Sequence, residues 1–196
     1  MSEAAAVDGR VLRGERNRQA VVDAFLALVQ EGAVAPTAQA VAERAGVSAR
    51  SVFHHFQDME SLLASAAEAH VRQYMPMMEP LTSDGPFAER RDAFVAQRAR
   101  LSEKVLPVFR AAMRAEPISG VVAKRLEWAT ARLRNEVTRV FATELADADR
   151  DLLEALDAVC GIETWVRLRT RQNLSIPAAT RVLATAISAL LTSSTE

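Results

Sequence analysis

A single cysteine in 196 residues excludes an intrachain disulfide, so nothing covalent staples this fold. That thiol, Cys160, sits in DAVCGIETW and reads as packing on a helix face, not as redox chemistry. Long apolar runs are also missing. The longest uncharged apolar stretch, Val182 to Leu191, is too short to span a bilayer. The opening MSEAAAVDGR has no basic segment followed by an apolar core, so no secretory leader is read there and a cytoplasmic location is expected. Neither charge sign dominates: the formal net charge of -1 argues against a chain that is a polyanion binder over its whole surface. Catalytic signatures are lacking as well. There is no G-x-S-x-G, no phosphate-cradling loop and no Cys/His nucleophile pair. His54-His55 and Glu68-Ala69-His70 come nearest to a metal-ligand pattern, and neither sets two ligands four apart with a third in view. No catalytic residue, cofactor or metal site is expected. Only seven glycines and seven prolines interrupt an alanine-rich chain, which favours an all-α fold, and no internal repeat or low-complexity segment is present.

What is present concentrates in TAQAVAERAGVSARSVFHHF, Thr37 to Phe56. Thr37 suits the N-cap of a short helix in which Ala40, Val41 and Arg44 recur at three- and four-residue spacing. Gly46 supplies the left-handed backbone that ends that helix. Ser48 can cap a second helix, whose Val52 and Phe56 lie four apart and share an inward face. The opposite face carries Ala49, Arg50, Phe53 and His54. Ala42 offers the small side chain needed where two helices cross closely. Two short helices joined at this corner form a helix-turn-helix. Upstream, RNRQAVVDAFLALVQEG aligns Val21, Val22, Phe25, Leu26, Leu28 and Val29 on a helical stripe that Gly32 stops. Downstream, Asp58 caps the alanine-rich helix MESLLASAAEAHVRQYM.

From Arg18 to Leu63 the sequence resembles the DNA-binding region of TetR-type transcriptional regulators. The matching residues are Val21, Phe25 and Gly32; Thr37, Val41 and Ala42; Ala45-Gly46-Val47-Ser48 at the turn; Ser51, His55 and Phe56; and Glu60 and Leu62. The resemblance implies a brace helix, a helix-turn-helix and a linker helix leading to a ligand-binding and dimerisation body. With the residues on the outer face, it implies DNA contacts by Arg10, Arg13, Thr37, Ser48, Ala49, Arg50, Ser51, Phe53, His54 and His55. Three positions depart from the family pattern. Phe53 stands where a tyrosine usually offers a hydroxyl to phosphate. Met59 stands where a lysine is common. Arg50 replaces a small residue, and its guanidinium suits either guanine O6 and N7 or a phosphate. Charge gives weaker support. Within residues 1–57, Arg10, Arg13, Arg16, Arg18, Arg44 and Arg50 are balanced by Glu3, Asp8, Glu15, Asp23, Glu31 and Glu43. The first four arginines are nevertheless concentrated around the start of the first helix, as a groove-binding arm or as a solvated lead-in.

The rest of the chain reads as helices separated by breaks. Pro76 and the stretch Pro80–Pro86 form the longest interruption. Phe87 to Glu116 is expected as one helix with Pro107 inside it, Ser119 to Ala146 as another, and Asp149 to Arg171 as a third bearing Leu156 and Val159 on an apolar side. Ser175 caps a last helix with Pro177 in its first turn and with Val182, Leu183, Ile187 and Leu190 on a broad apolar face. In the family the corresponding terminal helices pair across a two-fold axis, which implies a homodimer through Leu156, Val159, Val182, Leu183, Ile187 and Leu190. Tyr74, Met75, Met78, Phe94, Phe109, Met113 and Trp128 are candidate lining for an apolar small-molecule effector, although methionines and aromatics at such spacing are core far more often than pocket. The expected organisation is a flexible basic arm over 1–14, a helix-turn-helix domain over 15–57 and, over 58–196, the linker helix with an effector-binding and dimerisation body. The function implied is a ligand-responsive repressor that binds a palindromic double-stranded DNA operator as a homodimer. The competing reading is a helical small-molecule carrier that keeps the scaffold without specific DNA binding.

Overall fold

A computed structural model of the chain describes residues 2–33 and 35–192, with side chains from residue 12 onward. All regular structure among the described residues is helical. In order, the helices are α1 (Ser2–Gln30), α2 (Ala38–Ala45), α3 (Ala49–His55), α4 (Met59–Tyr74), α5 (Phe87–Ala115), α6 (Gly120–Val140), α7 (Arg150–Cys160), α8 (Ile162–Thr170) and α9 (Ile176–Thr192), with short 3-10 turns at Met75–Met77 and Glu116–Ile118.

Most helix starts follow from local capping chemistry. Thr37 Oγ1 accepts from the Ala40 amide at 3.2 Å, Ser48 Oγ from Ser51 at 3.1 Å, and Asp58 Oδ1 from Ser61 at 2.7 Å. Asp149 and Ser175 do the same for α7 and α9, at 2.9 Å and 3.3 Å. Each cap satisfies a donor that the first helical turn would otherwise leave open. Three boundaries differ from expectation. The backbone of residues 2–14, expected as a separate arm, continues α1. Gly161, at φ -63° and ψ 153°, leaves the helical region and divides the expected 149–171 helix into α7 and α8. α6 ends at Val140, where the chain passes into turns before α7.

The chain forms two compact units. The first comprises residues 1–73 and 107–125, and the second 74–106 and 126–196. The division within α5 falls at Pro107, which lacks the N–H an interior helical residue would donate. In the first unit Val21, Val22, Phe25 and Val29 of α1 bury against Val41 and Ala42 of α2, Val52 of α3, Phe56, and Leu62 and Ala66 of α4. Each such side chain removed from water contributes about 1.5–3 kcal/mol if large. The second core joins Phe94 and Val95 of α5, Val137 and Val140 of α6, Leu156 of α7, Trp165 of α8 and Leu183 and Ile187 of α9, with Phe141. Charged groups enter this interior in pairs. Arg90 is buried against Glu144 and also donates to the Gly85 carbonyl at 3.1 Å. Arg98 lies 3.3 Å from Glu136 and over the Phe94 ring at 4.7 Å.

Candidate nucleic-acid interface and body cleft

The corner at residues 45–48 is built as its residues dictate. Gly46 adopts φ 68° and ψ 31°, the left-handed conformation that a Cβ disfavours. Its amide and that of Val47 return to the carbonyls of Glu43 and Ala42, at 3.3 Å and 3.0 Å, and close α2. Ser48 then starts α3, and its Oγ lies 2.8 Å from that of Ser51. Val52 points into the core, which fixes the rotation of α3 and turns Arg50, Phe53 and His54 to solvent. Phe53 is 52% exposed, whereas Phe25, Phe56, Phe94 and Phe141 are buried and Phe87 and Phe109 half-buried. Arg50 is exposed and makes no hydrogen bond or ion pair among the described residues.

The remaining candidates on this face are placed less uniformly. The hydroxyl oxygens of Thr37 and Ser48 already accept the capping amides, and Ala49 and Ser51 are half-buried. His55 is half-buried, and its pKa is lowered first by burial and then by the charges of His54 and Arg18. Arg13 is exposed on α1, whereas the side chain of Arg10 lies outside the described residues. Two other arginines are turned to structural work. Arg18 donates to Ser65 Oγ at 2.8 Å and stacks over Phe56 at 4.8 Å; Arg44 pairs with Glu31. Both therefore brace the module, and the freely presented guanidinium on α3 is that of Arg50.

In the second unit one face of α6 lines a cleft of about 410 Å³. Trp128, Ala131, Arg132, Asn135, Glu136 and Arg139 contribute from α6, and Met78 and Pro80 complete the lining. Their spacing of three, one, three, one and three puts all six on a single helical stripe. Of the seven residues proposed to line an effector site, this cleft contains Met78 and Trp128. The other five are not among its walls. Phe94 is sealed in the core, edge-on to Phe141 at 5.3 Å, so it has no surface to offer a ligand. Tyr74 and Met75 are half-buried at the end of α4 and in the turn after it. Phe109 and Met113 belong to the first unit, and Met113 is 41% exposed. This cleft differs from the mainly sulfur and aromatic lining expected for an effector site: half of its eight residues are Arg132, Asn135, Glu136 and Arg139. These were missed because charged residues on an amphipathic helix read as its solvent face.

The candidate assembly residues also divide. Leu156, Leu183 and Ile187 are sealed in the core of the second unit, at 0%, 3% and 0% exposure, so nothing of them remains for a second copy to cover. The apolar face of α9 is wide enough that its centre is used within the chain. Val159 and Leu190 are half-buried and Val182 is 42% exposed. Among the described residues no three His, Cys, Asp or Glu side chains come together as a metal site, and no helix is long and apolar enough to cross a membrane.

Comparison with known proteins places the helix-turn-helix in a family. Residues 22–66 match the sequence profile of "Bacterial regulatory proteins, tetR family". No curated protein matches the sequence as a relative. Among solved structures, a protein of Pseudomonas aeruginosa PAO1 described as a transcriptional regulator superposes with TM-score 0.69 at 17% identity, covering 91% of each chain. A transcriptional regulator of Rhodococcus sp. Rha1 superposes with TM-score 0.67 at 19% identity, over 92% of this chain and 96% of that one. At these identities the likeness is one of fold, and it extends well beyond residues 22–66.

Proposed function

The chain belongs, through residues 22–66, to the TetR family of bacterial regulatory proteins, and from that premise we propose that it is a cytoplasmic, effector-responsive repressor that binds a palindromic operator as a homodimer. The observation that carries the DNA-binding part is α3 itself. Its inner face is locked by Val52 and its ends by Ser48 and Phe56, while Arg50, Phe53 and His54 stand outward together. In this reading Arg50 supplies the charged contact and Phe53 an apolar one such as a thymine methyl. Thr37 and Ser48 bring the N-terminal turns of α2 and α3 to phosphates. Arg13 adds charge from α1.

Assembly falls to the α7 and α9 surface that the core leaves uncovered, with Val159, Val182 and Leu190 as its apolar residues. A two-fold pairing there would present two recognition helices to two half-sites. Response to an effector is assigned to the α6 cleft. The same helix begins in the first unit, where Ser119 Oγ donates to Glu60 Oε1 at 2.7 Å and so ties the start of α6 to the first turn of α4. A helix held at one end beside the DNA-binding module, and lining a cleft farther along, is a continuous element through which occupancy can bias the module. For that bias to act as a switch, the effector must prefer one conformation, and a coupling of about 1–3 kcal/mol changes operator affinity about 5- to 150-fold.

Selection of bound fragments from a random DNA pool tests the reading. The expected result is an enriched two-fold sequence with half-sites about 34–36 Å apart or a multiple of that spacing. Affinity should fall steeply with salt, because phosphate contacts release counterions. No enriched sequence, or binding insensitive to salt, would favour a carrier without specific DNA binding.

A further inference from the structure

The cleft on α6 carries information about what it can hold. Part of its lining is apolar: Trp128 leaves 42% of its surface exposed, and Met78 and Pro80 also line the site. An indole left this open forgoes burial that its size would reward. The same helical stripe then brings two guanidinium groups to the cleft seven residues apart, two turns along α6. Arg132 lies over the Trp128 ring at 6.0 Å, and its Nε is buried with no acceptor among the described residues. Arg139 gives one bond to the Leu81 carbonyl, and a guanidinium has five donors to give. Asn135, between them in sequence, is exposed and has no hydrogen-bond partner among the described residues.

The sign of the cleft depends on Glu136, its one carboxylate. That carboxylate is already committed. Arg98, only 3% exposed, stands 3.3 Å from it and compensates its charge from within the core. With Glu136 neutralised from behind, Arg132 and Arg139 leave the cleft positive. A neutral apolar occupant would cover both guanidinium groups and offer them nothing, which is costly for buried charge. A cation would be repelled.

We propose that this cleft binds a small organic anion with a flat apolar body, its carboxylate taken by Arg132 and Arg139 and its body laid against Trp128. Planar guanidinium forks match a carboxylate with paired hydrogen bonds, and the indole face supplies the stacking surface. Asn135 adds a neutral donor beside the head group. The assignment names the chemistry of the effector invoked above and rests on that reading for its biological role, but the binding itself requires no DNA.

The test uses the full chain and naphthalene-2-carboxylate as the probe, titrated by calorimetry without DNA. Naphthalene-2-methanol, which keeps the rings and loses the charge, and inorganic phosphate, which keeps charge and loses the rings, are titrated in parallel. The expected result is saturable binding of the carboxylate with both controls at least about tenfold weaker. The double variant Arg132→Gln/Arg139→Gln should weaken the carboxylate about 10- to 100-fold and leave the alcohol unchanged. Trp128→Ala should weaken both naphthalene compounds. Equal affinity for acid and alcohol, unchanged binding by the double variant, or no saturation up to about 1 mM would each overturn the proposal. The acid-against-alcohol comparison needs no variant, so it decides the question even if the double variant fails to fold. Failure of the random-pool selection would remove the regulator reading and leave this isotherm standing.

Discussion

Gly46 offers a test in which backbone conformation can be separated from packing. It sits at φ 68°, and a Cβ built there would meet nothing within 4 Å, so a substitution clashes with no neighbour. The expected cost is therefore conformational. Placing an L-residue in the left-handed region costs about 1–2 kcal/mol. Replacing glycine by alanine also removes freedom from the unfolded chain, which offsets about 0.4–1 kcal/mol of that cost. Gly46→Ala should thus lose about 0.5–1 kcal/mol net. Gly46→Val, whose branched Cβ resists this region further, should lose about 2 kcal/mol or more. Gly46→Asn should lose least, because asparagine tolerates the left-handed conformation. At about 2–4 °C per kcal/mol for a chain of this size, valine should lower the melting temperature by about 4–8 °C. Thermal unfolding of the three variants gives the order directly, and operator binding should follow it, since Gly46 sets the angle between α2 and α3. A valine variant that melts and binds like the parent would refute the left-handed assignment. An asparagine variant as damaged as valine would show that something other than φ sets the cost.

Four further outcomes follow from the same geometry. Arg50→Ala should weaken operator binding and, if the guanidinium reads a base, remove about 1–3 kcal/mol of discrimination at one position; uniform loss across sequences in a binding array would make it a phosphate contact, and no loss would remove it from the interface. Val182→Glu with Leu190→Glu should give folded monomers by sedimentation, whereas Leu183→Glu should unfold the chain by burying an unpaired charge; a stable dimer of the first variant would place the assembly surface elsewhere. Burial, with the nearby charge of Arg125, lowers the pKa of His70 from 6.5 to about 4. The unfolded chain therefore binds the extra proton between those values, so stability is complete above about pH 6.5 and falls as pH drops towards 4, by about 3 kcal/mol at most. Denaturant midpoints measured from pH 7 to pH 4 should show this slope and His70→Phe should flatten it; an unchanged slope would mean that His70 does not carry it. Phe53→Tyr should strengthen binding to all DNA sequences alike if the ring edge reaches phosphate, while a change confined to one base step would place the ring against a base instead.

The parts of this molecule that were legible in its residues are those decided within a few positions of chain. Thr37, Ser48, Asp58 and Ser175 each cap the helix that follows, Asp149 marks the start of α7, and Gly46 closes α2, because capping and left-handed closure involve donors and acceptors three to five residues away. Where a side chain's partner comes from another element, periodicity stops short. The α9 stripe identifies an apolar face, yet its spacing does not say that Leu183 and Ile187 are consumed inside the chain while Val182 is left at the surface. The same limit hid the charged residues. Arg90, Arg98 and Glu136 look like solvent-facing positions until Glu144 and the packing around Phe94 show that two arginines are interior and paired. That pairing matters beyond stability. Arg98 compensates Glu136 at the back of the cleft, so the charge available to a ligand is set by a residue that the pattern assigns to solvent and the fold assigns to the core. Removing it in Arg98→Met should restore the negative charge of Glu136 to the cleft and abolish naphthalene-2-carboxylate binding; pairing it with Glu136→Gln should return that binding, and a double variant that binds no better than the single one would break the link between the buried pair and the specificity of the cleft.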